Sequence, residues 1–207
     1  KVTILKGQII DAITDEPIEA DIELVDNVQK QVIAKFKSNS KSGQYLVCLP
    51  SGKNYGISIN APGYLFHSQN VDIPEANGYQ EISKNVKLNK LDVGSRIVLN
   101  NIFFDYNKAS IKSESFAELE RLVELMIVEP YMRVEISGHT DNVGSDNYNK
   151  NLSNERAKAV VDLMVSLGIA SDRFEYIGHG FDQPIADNET DEGRQRNRRT
   201  EFKILSK

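Results

Sequence analysis

Apolar and polar side chains alternate in short runs through residues 1–90: Lys6-Gly7-Gln8-Ile9-Ile10-Asp11, Ala20-Asp21-Ile22-Glu23-Leu24-Val25, Gln44-Tyr45-Leu46-Val47-Cys48-Leu49, Tyr55-Gly56-Ile57-Ser58-Ile59 and Val86-Lys87-Leu88. A period of two puts alternate side chains on opposite faces of a sheet, so each run predicts a strand with one buried face. Thr14-Asp15-Glu16-Pro17, Ser42-Gly43, Ser51-Gly52 and Ala61-Pro62-Gly63 supply turn residues, and no stretch among them keeps a helical period. Residues 1–90 therefore read as a small all-β sandwich.

From Leu91 the rhythm changes to strands alternating with helices. Ser95 to Asp105 reads as a strand, and Phe116, Leu119, Val123 and Met126 then mark one face of a helix. Ser113 or Ser115 offers a cap for it, and Pro130 stops it. Met132 to Ser137 returns to strand. Ala157, Val160, Val161, Met164 and Leu167 form a second helical stripe, with Ser153 as its expected N-cap and Gly168 at the C′ position. Phe174 to Ile177 and Thr200 to Leu205 give two more strands. Residues 95–207 are thus expected to fold as a second domain, an α+β sandwich of order β-α-β-α-β-β with both helices on one face of the sheet.

Composition narrows the function classes. The chain has 207 residues, 40% of them hydrophobic and 27% charged, which is enough apolar matter for two cores. A net charge of −5 gives neither half a general basic field, so non-specific nucleic-acid binding is not expected. The apolar runs are a few residues long, against the roughly 20 that a spanning helix needs. The one cysteine, Cys48, lies in an apolar run and reads as a small buried hydrophobe; no intramolecular disulfide is possible. The chain opens at Lys1 without an initiator methionine or signal peptide and reads as part of a longer precursor, whose missing upstream region would attach it to a membrane.

The chemistry concentrates between the second strand and second helix of residues 95–207, in Gly138-His139-Thr140-Asp141-Asn142-Val143-Gly144 and in Tyr148-Asn149 through Leu152-Ser153-Asn154-Glu155-Arg156-Ala157. Asp141 follows a strand in a glycine-flanked loop, so its carboxylate is expected at a sheet end rather than packed inside. Arg156 is expected in the first turn of a helix, where the macrodipole disfavours a cation, so something else must hold it. Two arrangements answer this. Carboxylate and guanidinium pair with each other, or they share a zwitterionic ligand whose ammonium binds Asp141 and whose carboxylate is gripped by Arg156 in a bidentate fork.

Those motifs resemble the OmpA C-terminal family. So do Ile102-Phe103-Phe104-Asp105-Tyr106-Asn107-Lys108, Gly178-His179-Gly180, Pro184-Ile185-Ala186 and Asn197-Arg198-Arg199, in the same order over about residues 95–205. The resemblance implies non-catalytic binding of peptidoglycan, with Asp141 and Arg156 clasping the side-chain amine and carboxylate of meso-diaminopimelate in the stem peptide. It places Asn107, Asn149 and Leu152 near that peptide, makes Asp105, Thr140 and Arg199 secondary candidates, and implies a periplasmic, outer-membrane-associated anchor of a Gram-negative bacterium. In residues 1–90 the turns Thr14 to Ile18, Ser42 to Tyr45 and Ala61 to Tyr64 resemble the carboxypeptidase regulatory-like, transthyretin-like sandwich, which implies no catalysis. The two domain types in this order resemble lipid-anchored components of type IX secretion, which would make outer-membrane or secretion-complex proteins the partners.

Other chemistry finds little support in the residues. His67, His139 and His179 lack metal-ligand spacing, and His139 is expected to fix its loop by hydrogen bonding. No nucleophile elbow, phosphate loop or dinucleotide glycine pattern is present, and no cofactor is predicted. Arg194, Arg196, Arg198 and Arg199 read as a solvated helix end among acidic neighbours. Two further functions remain open: a metal-assisted wall hydrolase using Asp105, His139 and Asp141, and a protein-interaction module in which Asp141 and Arg156 form an internal salt bridge.

Overall fold

A computed structural model describes residues 2–29, 31–75 and 78–207. The chain divides into two compact units, residues 1–91 and 92–207.

The first unit is built of strands: β1 (Val2–Asp11), β2 (Asp21–Asp26), β3 (Gln31–Lys37), β4 (Gln44–Pro50), β5 (Lys53–Asn60), β6 (His67–Ile73), β7 (Gln80–Ser83) and β8 (Val86–Leu88). One sheet has the order β4-β1-β7, with β8 also paired to β1, and the other runs β3-β2-β5-β6. Both sheets feed one core, Leu5, Ile9, Tyr45 and Leu49 from the first and Ile22, Leu24, Tyr55, Ile57 and Ile59 from the second. The alternation that predicted the strands is the alternation that fills this core. The turn at Thr14-Asp15 is held by Asp11, whose Oδ1 accepts from the amides of Ile13 at 2.8 Å and Thr14 at 2.9 Å. Those two amides hold the Asp11 carboxyl well below the usual carboxylate range, with help from Tyr64 and Lys90.

Strands β3, β6 and β7 were not evident as apolar runs, because they are polar or edge segments. One expectation is corrected. Cys48 is exposed, since in β4 the side chains of Tyr45 and Leu49 point to the core and those of Leu46 and Cys48 to the other face.

The second unit runs β9 (Arg96–Val98), α1 (Phe116–Val128), β10 (Arg133–Gly138), α2 (Asp146–Ser166), β11 (Phe174–Gly178), α3 (Asp191–Asn197) and β12 (Thr200–Ser206). Its sheet has the order β11-β10-β12-β9, with β10 and β11 parallel and the other pairs antiparallel. Val134, Ile136, Phe202 and Ile204 are fully buried on one face. The other face carries the ion pairs Arg133–Glu175 at 3.0 Å and Lys203–Glu135 at 4.0 Å. Leu119, Leu122 and Met126 of α1, and Ala157, Val160 and Met164 of α2, are buried as well.

Several boundaries differ from the sequence reading. The strand expected from Ser95 to Asp105 is only three residues long, and the chain beyond it forms a loop closed by a bridge between Phe104 and Ile111. Phe116, expected on the buried stripe, is nearly half exposed, and Leu122, outside that stripe, is in the core. Ser115 does not cap α1: its Oγ accepts from the Phe103 amide at 2.8 Å and so ties the preceding loop to the helix. Helix α2 begins two turns before Ser153. Its cap is Ser145, whose Oγ accepts from the Tyr148 amide at 3.3 Å, while Ser153 lies inside the helix and donates to the Lys150 carbonyl at 3.0 Å. Gly168 does sit at the C-terminal end of α2 with φ of +103°. The short α3 adds a helix to the expected order. Thr190 caps it by accepting from the Gly193 amide at 3.0 Å, and its acidic first turn and basic last turn suit the helix dipole.

Candidate functional site

Parallel strands β10 and β11 end together at the register pair Gly138–Gly178, and antiparallel β12 begins opposite Gly138 at Thr200. Three connections therefore meet at one end of the sheet. The loop after β10 lies beside the loop after β11 through Thr140 N–H to Gly180 O at 2.8 Å and His179 N–H to Gly138 O at 2.9 Å. Ser153 of α2 joins them by accepting from the Gly180 amide at 2.9 Å. This brings α2 against the strand ends so closely that only glycine fits there: a Cβ on Gly138 would lie 2.2 Å from the Ser153 carbonyl oxygen, and one on Gly178 would lie 2.2 Å from the Asn154 nitrogen.

Asp141 sits at this sheet end but is more enclosed than its loop position implied, with 8% of its surface exposed. Its Oδ1 accepts from the Val143 amide at 3.0 Å, and its Oδ2 is paired with the Arg198 guanidinium. Arg198 is also held by Gln195. The direct Asp141–Arg156 salt bridge entertained from sequence is not formed; Arg198 is the partner of the carboxylate. In the sequence it stood in Asn197-Arg198-Arg199 and in the arginine cluster read as a solvated helix end, and neither pointed to Asp141.

Arg156 lies in the middle of α2, so the dipole argument based on a first-turn position does not apply. Its Nε donates to the Lys108 carbonyl at 3.0 Å, and its guanidinium carbon stands 5.0 Å from the centroid of the Phe104 ring. Burial lowers its pKa, Arg198 adds to that, and Tyr148 and Asp141 oppose it. Asp141 thus acts on Arg156 through space, with no bond between them. Neither terminal nitrogen of Arg156 has a hydrogen-bond partner among the described residues.

The remaining candidates fall into two groups, with Arg199 apart from both. Asn149 is buried in the first turn of α2, not ahead of it, and its Nδ2 donates to the Val143 carbonyl at 3.0 Å. Asn149 and Asp141 therefore grip the two sides of the Val143 backbone and fix the loop. Thr140 and Leu152 are buried beside them. Asp105 and Asn107 lie in the Phe104–Ile111 loop, in a turn closed by the Lys108 amide donating to the Asp105 carbonyl at 3.1 Å. Asn107 adopts a left-handed φ of +53°, a conformation that asparagine tolerates better than most residues. Arg199 is spent internally, its Nε on Glu201 at 2.7 Å and its Nη2 on the Gln183 carbonyl at 3.1 Å.

His139 corrects another expectation. It is buried, both ring nitrogens lack a hydrogen-bond partner among the described residues, and its ring stacks on that of His179 with centroids 5.1 Å apart. Burial and the nearby Arg199 lower its pKa to about 4, against an opposing pull from Glu201, so it is neutral at physiological pH. Among the described residues no three of His, Cys, Asp and Glu gather as a metal site. Among the described residues no helix is long and apolar enough to cross a membrane.

Residues 103–198, which contain every one of these site residues except Arg199, match the OmpA family. The second unit is an OmpA-like domain. The chain is 33% identical over 190 residues to Outer membrane porin F of Pseudomonas aeruginosa, an alignment covering 81% of this chain and 51% of that protein. It is 41% identical over 103 residues to Peptidoglycan-binding protein ArfA of Mycobacterium tuberculosis, covering 50% of this chain and 32% of that protein. Among solved structures, the cell wall anchor of the T6SS from Pseudomonas aeruginosa aligns at 30% identity with a TM-score of 0.47, covering 54% of this chain and 80% of that one. The chain thus spans about half the length, or less, of these two curated relatives.

Proposed function

We propose that the OmpA-like domain binds peptidoglycan without catalysis and so anchors an outer-membrane-associated protein to the cell wall from the periplasm. The observation that carries this reading is an enclosed carboxylate, Asp141, acting through space on a half-buried guanidinium, Arg156, whose terminal nitrogens have no bond among the described residues. A guanidinium held with its fork unfilled suits a planar carboxylate, and Asp141 retains lone pairs for an ammonium beyond its bonds to Val143 and Arg198. The ligand that supplies both charges at one end is meso-diaminopimelate of the stem peptide. Lysine in its place offers the ammonium alone and leaves Arg156 without its carboxylate. A hydrogen bond to a charged group contributes about 1.5–3 kcal/mol, so the loss weakens binding about ten- to a hundredfold. The two-sheet first unit, read as transthyretin-like, serves as spacer or docking surface for outer-membrane proteins, and type IX secretion is the system we favour from the order of the two domain types. Sedimentation with purified diaminopimelate-type sacculi tests the reading: wild type co-sediments and folded Asp141→Ala stays in the supernatant. Equal pelleting of both would move the binding surface away from this site.

A further inference from the structure

The Phe104–Ile111 loop makes contact with Arg156 at two points that are set by its own fold. Phe103 is pinned to buried Ser115 through its amide at 2.8 Å, and Lys112 N–H closes on the Phe103 carbonyl at 2.9 Å. Asp105 N–H donates to the Ser110 carbonyl at 3.1 Å, and the left-handed Asn107 turns the chain so that the Lys108 carbonyl faces α2. The loop is therefore a small hairpin with its base tied down, and it presents a ring face and a carbonyl oxygen to one guanidinium.

Resting on the peptidoglycan reading above, we infer that Phe104 is a positioning residue for Arg156: its ring and the Lys108 carbonyl hold the guanidinium plane so that both terminal nitrogens face the ligand carboxylate. With the guanidinium carbon lying over the Phe104 ring and a carbonyl taking Nε–H, the outer fork is what remains for a ligand. Arginine carries many rotamers, and a side chain already held in its bound orientation loses less on binding. Lysine at position 156 would have neither a plane to stack nor an Nε–H to donate, so the hold explains the need for arginine as well as for charge.

The test combines calorimetric titration of a soluble meso-diaminopimelate stem peptide with the NMR signal of Arg156 Nε–H in the ligand-free protein. A cation–π contact of this kind predicts that Phe104→Leu weakens peptide binding about two- to tenfold, while Phe104→Tyr, which keeps the ring face, binds like wild type. In an Arg156→Ala background the Phe104→Leu change should add nothing further. The Nε–H signal should be sharp in wild type and Phe104→Tyr and broadened by exchange with water in Phe104→Leu. Unchanged affinity and signal in Phe104→Leu, or the same loss of affinity with and without Arg156, would overturn the inference. Absence of peptide binding by wild type would overturn the peptidoglycan reading alone, because the Nε–H signal reports the hold without any ligand.

Discussion

Replacing Gly138 by alanine should displace α2 from the strand ends. The added methyl would stand 2.2 Å from the Ser153 carbonyl oxygen and 3.2 Å from the Ser153 Cα, where ordinary contact begins at 3.4 Å. Both obstacles are backbone atoms in a helix whose Leu152, Ala157, Val160, Val161 and Met164 are buried, so no flexible side chain can move aside. Helix or strand must retreat by more than 1 Å at this point. Overpacking of a filled core costs about 1–3 kcal/mol. For a unit of this size that lowers Tm by roughly 5–15 °C, which differential scanning calorimetry resolves easily. Gly178→Ala, whose methyl would meet the Asn154 nitrogen at the same distance, should behave alike. Because α2 carries Arg156 one turn beyond Ser153, the same shift should weaken ligand binding. A Gly138→Ala protein that melts within 1 °C of wild type would refute the claim that backbone contact between strand and helix sets the site.

Two further outcomes follow from buried polar groups. His139 is neutral in the fold with a pKa near 4, below its ordinary value of 6.5, so the unfolded chain binds a proton that the folded one does not. Stability should therefore fall as pH drops from about 6.5 towards 4, by at most about 1.4 kcal/mol per pH unit, and urea unfolding of His139→Gln should lose that slope; an identical slope in the variant would assign it elsewhere. Asn197 accepts from the amides of Ile185 at 2.8 Å and Ala186 at 3.0 Å and donates to Ala186 O and Asn188 Oδ1, both at 2.9 Å. Asn197→Ala leaves those groups without partners and should cost about 2–4 kcal/mol, visible in the same urea titration; a loss under about 0.5 kcal/mol would mean the loop re-forms its bonds with water.

Strand and helix types were legible wherever a buried face repeats. Of the stripe Ala157, Val160, Val161, Met164 and Leu167, the first four marked the second half of α2 while Leu167 lies past its end and is exposed, and the end at Gly168 was readable because a left-handed residue is needed there. The first two turns were not, since Asp146-Asn147-Tyr148-Asn149-Lys150-Asn151 has the composition of a loop and is helical through the Ser145 cap and the buried Asn149. Cys48 misled because an edge strand needs only every second residue inside. Asp141 and Arg156 were legible as candidates, but their partners were not. The pairing of Asp141 with Arg198 joins residues 57 positions apart, and no local pattern announces it. The pairing of Arg156 with the Lys108 carbonyl involves a backbone atom, which any residue type would provide.

The central claim is that Asp141 and Arg156 read the two charges at one end of a diaminopimelate side chain. Calorimetric titration with soluble stem peptides containing either meso-diaminopimelate or lysine, against wild type and folded Asp141→Ala and Arg156→Ala, tests it most directly. The account predicts binding of the diaminopimelate peptide, affinity for the lysine peptide lower by about ten- to a hundredfold, and loss of that preference in Arg156→Ala. Equal affinity of wild type for the two peptides would contradict it.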